Sequence, residues 1–406
     1  MALRTLVPRK LRRKWRATKS RIRSGNSPAS AITGLESSLS PADTLRSLKN
    51  HQWSIYDAQY LLLIILAVFC LSIMAFPSPL FRTFVSALVI LSLLIPMTRQ
   101  FFLPFLPIAG WLVLFYSCKF IPSSIRPEPW VSVLPALENI FYGANLSNIL
   151  SAHKHWVLDV LAWFPYGITH FGAPAVVTLI LFIAGPPGLA PMFAKTFGYM
   201  NIAGVAIQLI FPCSPPWYEN MYGLVPANYS VHGSPAGLAA IDKLFGVDLY
   251  TSTFTASPQV FGAFPSLHSA NATLEALFMA HCFPRFAALW FSYTLWIWWA
   301  TMYLSHHYAI DLVAGSLLAG VCFFVAKAKW IPRMQADKSL RWDYDFVEIG
   351  EADNGFTELN DGYYHPARSD DEWTVGESSS IASDGPRERS PSVVSDNDIL
   401  FGHAKP

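Results

Sequence analysis

His307 and Asp311 stand four residues apart in the segment Tyr303-Leu-Ser-His-His-Tyr-Ala-Ile-Asp311, a spacing that puts both on one face at the start of a helix. There a carboxylate accepts the proton of one ring nitrogen and leaves the lone pair of the other able to attack phosphorus. His268, closing the segment Phe264-Pro-Ser-Leu-His268, is suited to protonate a departing alkoxide and then deprotonate an incoming alcohol. A phosphodiester resists attack because its oxygens are anionic, so such a site also needs positive charge. Lys119 and Arg126, in Lys119-Phe-Ile-Pro-Ser-Ser-Ile-Arg126-Pro127, supply it, and arginine forks two oxygens. Ser266 and His306 are further candidates for substrate contact. The scheme calls for no metal and no cofactor.

Each residue alone has a blander reading. A histidine near a membrane interface is commonly an amphipathic anchor, and Lys119 and Arg126 alone would pass as interfacial snorkellers. His306 either hydrogen-bonds phosphate or faces lipid headgroups. Glu275 reads as a buried structural acceptor, the alternative being a group that faces the site. Only Glu275 and Asp311 are acids within the apolar runs described next, and Asp311 has a histidine one turn before it.

The elements that must position these groups are membrane helices. The chain is 52% hydrophobic and 14% charged, with a mean hydropathy of +0.33, whereas a soluble domain carries about 25% charged residues. An ordinary cytosolic protein is thereby excluded. Eight apolar runs, near 60–76, 80–96, 101–119, 167–185, 196–212, 267–283, 286–304 and 309–326, approach the roughly 17–20 residues that cross a hydrocarbon core. The first begins near Tyr60, so no cleavable signal peptide is expected. The five cysteines read as small buried hydrophobes; a Cys118–Cys213 bridge is conceivable, though their spacing does not call for one.

Charge sets the sidedness. Residues 1–23 hold ten Lys or Arg and no acid. Arg99, Lys195, Arg285, Lys327, Lys329 and Arg333 then fall on the same side as this arm if the spans number eight, and the long loops 120–166 and 213–266 fall on the other. The three chemical segments lie on that second face. The expected organisation is a basic cytosolic arm (1–58), a transmembrane catalytic domain (59–335) and an acidic, disordered cytosolic tail (336–406), which holds sixteen of the 27 acids and candidate phosphorylation sites such as Ser390. The arm either lies on anionic lipid or is solvated. No nucleic-acid partner is expected.

These segments resemble the signature of the type 2 phosphatidic acid phosphatase superfamily, K-x6-RP, PSGH and SR-x5-H-x3-D. Lys119, Arg126 and Pro127 match the first; Pro265, Ser266 and His268 the second, with Leu267 in place of Gly; and His307 and Asp311 the third, with Ala300 and Thr301 in place of Ser and Arg. The missing Arg leaves a phosphate contact to His306 or Lys119. Longer strings, Ser214-Pro-Pro-Trp-Tyr-Glu-Asn220, Gly262-Ala-Phe-Pro-Ser-Leu-His-Ser-Ala-Asn271 and Met302 to Gly315, resemble the fungal inositol phosphorylceramide synthase family over roughly residues 50–335.

That resemblance implies an all-α helical bundle, a phosphohistidine on His307 and a leaving-group acid at His268. It further implies transfer of phosphoinositol from phosphatidylinositol to ceramide with release of diacylglycerol, a Golgi membrane with the site facing the lumen and both termini cytosolic, a small regulatory membrane subunit, and sensitivity to aureobasidin A. Glu219 and Asn220 are candidates for inositol contact, while Trp217, Tyr218 and Tyr222 either dry the site or anchor the interface. The competing enzyme readings are a lipid phosphate phosphatase and a sphingomyelin-type synthase. A non-catalytic channel or scaffold would have no reason to gather His268, His307 and Asp311.

Overall fold

Apolar runs closed by proline, glycine or polar caps become helices throughout a computed structural model that describes residues 33–344 and 347–350, with the backbone of 363 and 364. The basic arm's first 32 residues and the tail positions that include Ser390 lie outside these. After α1 (Pro41–Asn50), α2 (Ala58–Ile73), α3 (Pro79–Leu94) and α4 (Pro96–Ser117) form an apolar hairpin series. No residue of α3 is buried, which places it on the periphery. Two short helices, α5 (Val133–Tyr142) and α6 (Leu146–Ala152), fill the first long connection.

One continuous rod then runs from α7 (Trp156–Trp163) through a π-helical stretch, Phe164–Thr169, into α8 (His170–Ala184). This helix starts eleven residues before the expected 167, because the wider π turn carries Pro165 and Gly167 through without a break. Next, α9 (Leu189–Ile210) packs along α4. Lys195, expected in a loop, lies buried inside α9, its Nζ 3.4 Å from the Tyr60 hydroxyl; the run begins at Leu189 because Phe193 and Phe197 continue its core face. The second long connection holds α10 (Pro216–Tyr222), α11 (Ala239–Phe245) and α12 (Tyr250–Thr255).

At the centre sits α13 (Leu267–Cys282), buried on most sides and flanked by α14 (Ala287–Tyr303) and α15 (Ala309–Lys329). Ala270, Ala272 and Ala276 let neighbours approach its backbone, the small-residue packing that membrane helices favour. Phe193, Phe197, Leu274, Phe278 and Phe323 form the main core. Packing continues past residue 336: Arg341, Tyr344 and Val347 are buried. Among the described residues, four helical stretches are long and apolar enough to cross a membrane, Ile55–Ile73, Pro96–Phe120, Trp156–Ala184 and Ala309–Lys329. All five cysteines are free.

Candidate active site

The site forms where α13 and α15 begin and α14 ends. Ser266 is fully buried; its hydroxyl accepts from the Ser269 amide at 3.3 Å as the N-cap of α13, and its own amide donates to the Asp311 carbonyl at 3.0 Å. That backbone bond fixes the two helix starts side by side. The cap puts His268 in the first turn, where its Nδ1 lies 3.1 Å from Nε2 of His307. On the far side of the same ring, His307 Nδ1 lies 3.3 Å from Asp311 Oδ2. This contact is at ion-pair distance but off the line of a hydrogen bond, a looseness expected of catalytic contacts before substrate arrives. Asp311 is wholly buried, and Oδ2 also accepts from the Tyr308 amide at 3.2 Å.

The turn between α14 and α15 is tight, with Ser305 in the left-handed region at φ 61°. Thr301, where the superfamily pattern has arginine, turns its hydroxyl back to the carbonyls of Ile297 and Trp298. Its carbonyl accepts the amides of His306 and His307 at 2.9 and 3.3 Å. Leu267, in place of the pattern's glycine, reaches across to α9, where a Cβ at Gly204 would lie 2.3 Å from its Cδ2. The space that Leu267 needs is provided by that glycine.

His306 donates through Nε2 to the Pro235 carbonyl at 3.2 Å and stacks on Tyr166, with ring centroids 5.2 Å apart. Burial, reinforced by the adjacent imidazole of His307, pushes its pKa down to about 3, so it stands neutral beside the pair. Tyr166 and His170 flank His268, each with ring centroids 4.6 Å away. Neither was legible as a site residue: His170 read as part of the apolar run 167–185, and Tyr166 as the end of the long loop before it.

The two expected cations have other partners. Arg126 bonds the carbonyls of Cys118 and Ile121 and lies over the Tyr229 ring. Lys119 is exposed, its ammonium 3.9 Å from the Tyr116 ring centre. Neither lines the cavity that contains the histidines. Glu219 accepts from the Tyr308 hydroxyl and from Asn145 Nδ2, at 2.9 and 3.0 Å. Glu275, read as a structural acceptor, is buried with Oε1 accepting no hydrogen bond among the described residues. Burial raises the Glu138 carboxyl above its ordinary range, with the amides of Ala309 and Ile310 acting against it.

A cavity of about 1440 Å³ opens from His268, His306 and His307 and runs between α4, α8 and α9 to Phe182 and Arg341 at the opposite end of the bundle. Pockets for drug-sized ligands are about 300–1,000 Å³; this one is long, apolar and of lipid dimensions. Its roof is stitched by backbone bonds: Trp130 to Pro212, Ser214 to Trp130 and Cys213 to Phe261. Trp217 and Tyr218 are buried in that roof, while Tyr222 is exposed.

The class follows from a helical bundle that presents an imidazole pair and a carboxylate at one end of a lipid-sized cavity. The family model of the PAP2 superfamily matches residues 129–325, a stretch that contains the histidines and Asp311 but starts after Lys119 and Arg126. Within that class, the inositol phosphorylceramide synthase catalytic subunit of Schizosaccharomyces pombe is 52% identical over 316 residues, 78% of this chain and 75% of its own. Its Saccharomyces cerevisiae counterpart is 45% identical over 345 residues, 82% and 84% of the two chains. A phosphoinositol dihydroceramide synthase of Bacteroides thetaiotaomicron is 30% identical over 239 residues, 56% of this chain and 77% of its own. No solved structure matches. The chain belongs to the inositol phosphorylceramide synthase family, and it is a multi-pass membrane protein.

Proposed function

We propose that the chain transfers phosphoinositol from phosphatidylinositol to the primary hydroxyl of ceramide, releasing diacylglycerol. The observation that carries this reading is the 3.1 Å approach of His268 to His307 with Asp311 behind it, at the mouth of a cavity of lipid dimensions in a member of this family. Asp311 holds the proton on Nδ1 of His307, so Nε2 attacks phosphorus. The bond from phosphorus to the diacylglycerol oxygen breaks, and protonated His268 donates to that oxygen. Neutral His268 then takes the proton of the ceramide hydroxyl, whose oxygen attacks phosphorus and releases His307. Substrate must part the two imidazoles, because each occupies the other's reactive nitrogen in the free protein.

Lys119, whose ammonium has only ring contacts among the described residues, lies outside the cavity in the free protein and must swing off those rings to serve as the headgroup's cation, with Arg126 shaping the loop beside it. Ser266 acts through its cap, and neutral His306, whose one N–H is given to the Pro235 carbonyl, offers the substrate only an acceptor nitrogen. The burial of Trp217 and Tyr218 supports a roof that keeps water from a phosphohistidine. A helix fills each of the eight apolar runs, which supports eight spans, with the site facing the lumen of the Golgi and the termini in the cytosol. That two relatives are named catalytic subunits supports a small second subunit.

The test is purified protein given inositol-labelled phosphatidylinositol and ceramide, beside His307→Ala. Labelled phosphoinositol ceramide from the wild type alone is expected. Release of inorganic phosphate from phosphatidic acid supplied in its place would make water the acceptor and the enzyme a lipid phosphate phosphatase; with choline-labelled phosphatidylcholine as donor, labelled phosphocholine reaching ceramide would make it a sphingomyelin-type synthase.

A further inference from the structure

The turn that carries His306 and His307 joins two helix ends, and each end leaves backbone groups without partners inside its helix. The first extramembrane connection supplies them on both flanks. At the end of α14, Ser147 Oγ donates to the Met302 carbonyl at 2.9 Å and Lys154 Nζ to the Tyr303 carbonyl at 2.7 Å. At the start of α15, Glu138 Oε1 accepts from the Ala309 amide and Oε2 from the Ile310 amide, both at 3.2 Å. Oε1 also accepts from the Leu146 amide at 3.2 Å, which ties α6 to the same carboxylate. The signs match the helix dipoles: a cation meets the carbonyl end, a carboxylate the amide end.

We propose that Glu138 is a positioning residue for the reaction, holding the first turn of α15 so that Asp311 and His307 keep their relation. Glu138 and Ser147 are fully buried, so water cannot replace either contact. Asp311 lies in the turn that Glu138 clamps, one residue beyond Ile310. Its Oδ2 is shared between the Tyr308 amide and the His307 ring, so fraying of that turn displaces the carboxylate from the imidazole directly. Glu138 touches no reacting group; it reaches the chemistry through this backbone, and its charge also lies close enough to act on Asp311.

The test uses the full-length protein with phosphatidylinositol and ceramide, comparing wild type, Glu138→Gln and Glu138→Asp. Gln puts an N–H₂ against the Ile310 amide. Small misplacements of reacting groups cost up to about 100-fold, so kcat of E138Q is expected to fall about 10-fold or more. KM for both lipids stays within about threefold, since the cavity is untouched, and E138D recovers part of kcat. Diethyl pyrocarbonate modification of His307, followed by peptide mass spectrometry, is expected to quicken in E138Q. Wild-type kcat with an unchanged modification rate overturns the proposal. If E138Q does not fold, Ser147→Ala on the other flank decides: a lower kcat at constant KM supports the clamp, and a wild-type kcat overturns it. The turnover assay rests on the proposed transfer. A wild type that makes no phosphoinositol ceramide refutes that reading, while the modification rate still judges Glu138.

Discussion

A Cβ placed on Gly315 would lie 2.1 Å from the carbonyl oxygen of Ser266. The helix carrying Asp311 and the residue that caps the helix of His268 therefore meet backbone to backbone, and the hydrogen bond from the Ser266 amide to the Asp311 carbonyl depends on that approach. Overpacking costs about 1–3 kcal/mol where side chains can adjust; here the obstacle is main chain. Gly315→Ala is expected to lower the melting temperature in detergent and to cut transfer more than tenfold, because it separates the two histidines. Wild-type turnover in G315A would show that the helices tolerate the separation.

Replacing His307 by Ala removes the nucleophile, and its transfer activity should disappear while the protein still elutes as folded material. Asp311→Asn keeps the shape but permits the wrong ring proton; a comparable change at a catalytic triad costs about 10⁴-fold. A loss of about 10³-fold or more in D311N is expected. Labelled product from H307A at the wild-type rate would remove His307 from the nucleophile's role.

His306 gives a pH signature. Its pKa falls from 6.5 to about 3 on folding, chiefly through burial and then through His307. The unfolded chain thus binds a proton that the folded protein refuses, and the stability present above pH 6.5 is lost as pH drops toward 3. The melting temperature should decline across that window. In His306→Gln, which keeps a donor for the Pro235 carbonyl but does not titrate, the decline should be shallower. An identical slope would assign the acid sensitivity elsewhere.

The two glycosylation sequons in the long connections, Asn145-Leu-Ser147 and Asn228-Tyr-Ser230, have different environments. Asn145 donates Nδ2 to Glu219 at 3.0 Å and caps α6 through Oδ1, whereas Asn228 is exposed. With both connections in the lumen, Asn228 is expected to carry glycan and Asn145 none, read as a mobility shift abolished by Asn228→Gln. Glycan on Asn145 instead would contradict the structural role assigned to its side chain.

Much of this was legible in the chain itself. His268, His307 and Asp311 stood out because chemistry-bearing residues in apolar surroundings are few, and hydropathy with charge put them on one face. The course of the helices was less legible. Lys195 read as a loop cation because charge marks loops on average, yet α9 buries it beside Tyr60. The rod from Trp156 to Ala184 read as a later start because Pro165 and Gly167 usually interrupt helices.

Sequence alone determined the reacting types and their nearness along the chain; the expected helix face was not what joined them, because His307 stands in the turn two residues before α15 begins at Ala309. Only the tertiary structure decided that His268 meets His307 ring to ring, that Arg126 is held by its own loop, and that Glu138, some 170 positions earlier in the chain, takes up the first amides of α15. Nearness along the chain follows from covalent connectivity, which every chain shares. The His268 and Glu138 contacts join segments far apart in sequence, and only the packing of α5, α13, α14 and α15 brings them within hydrogen-bonding reach.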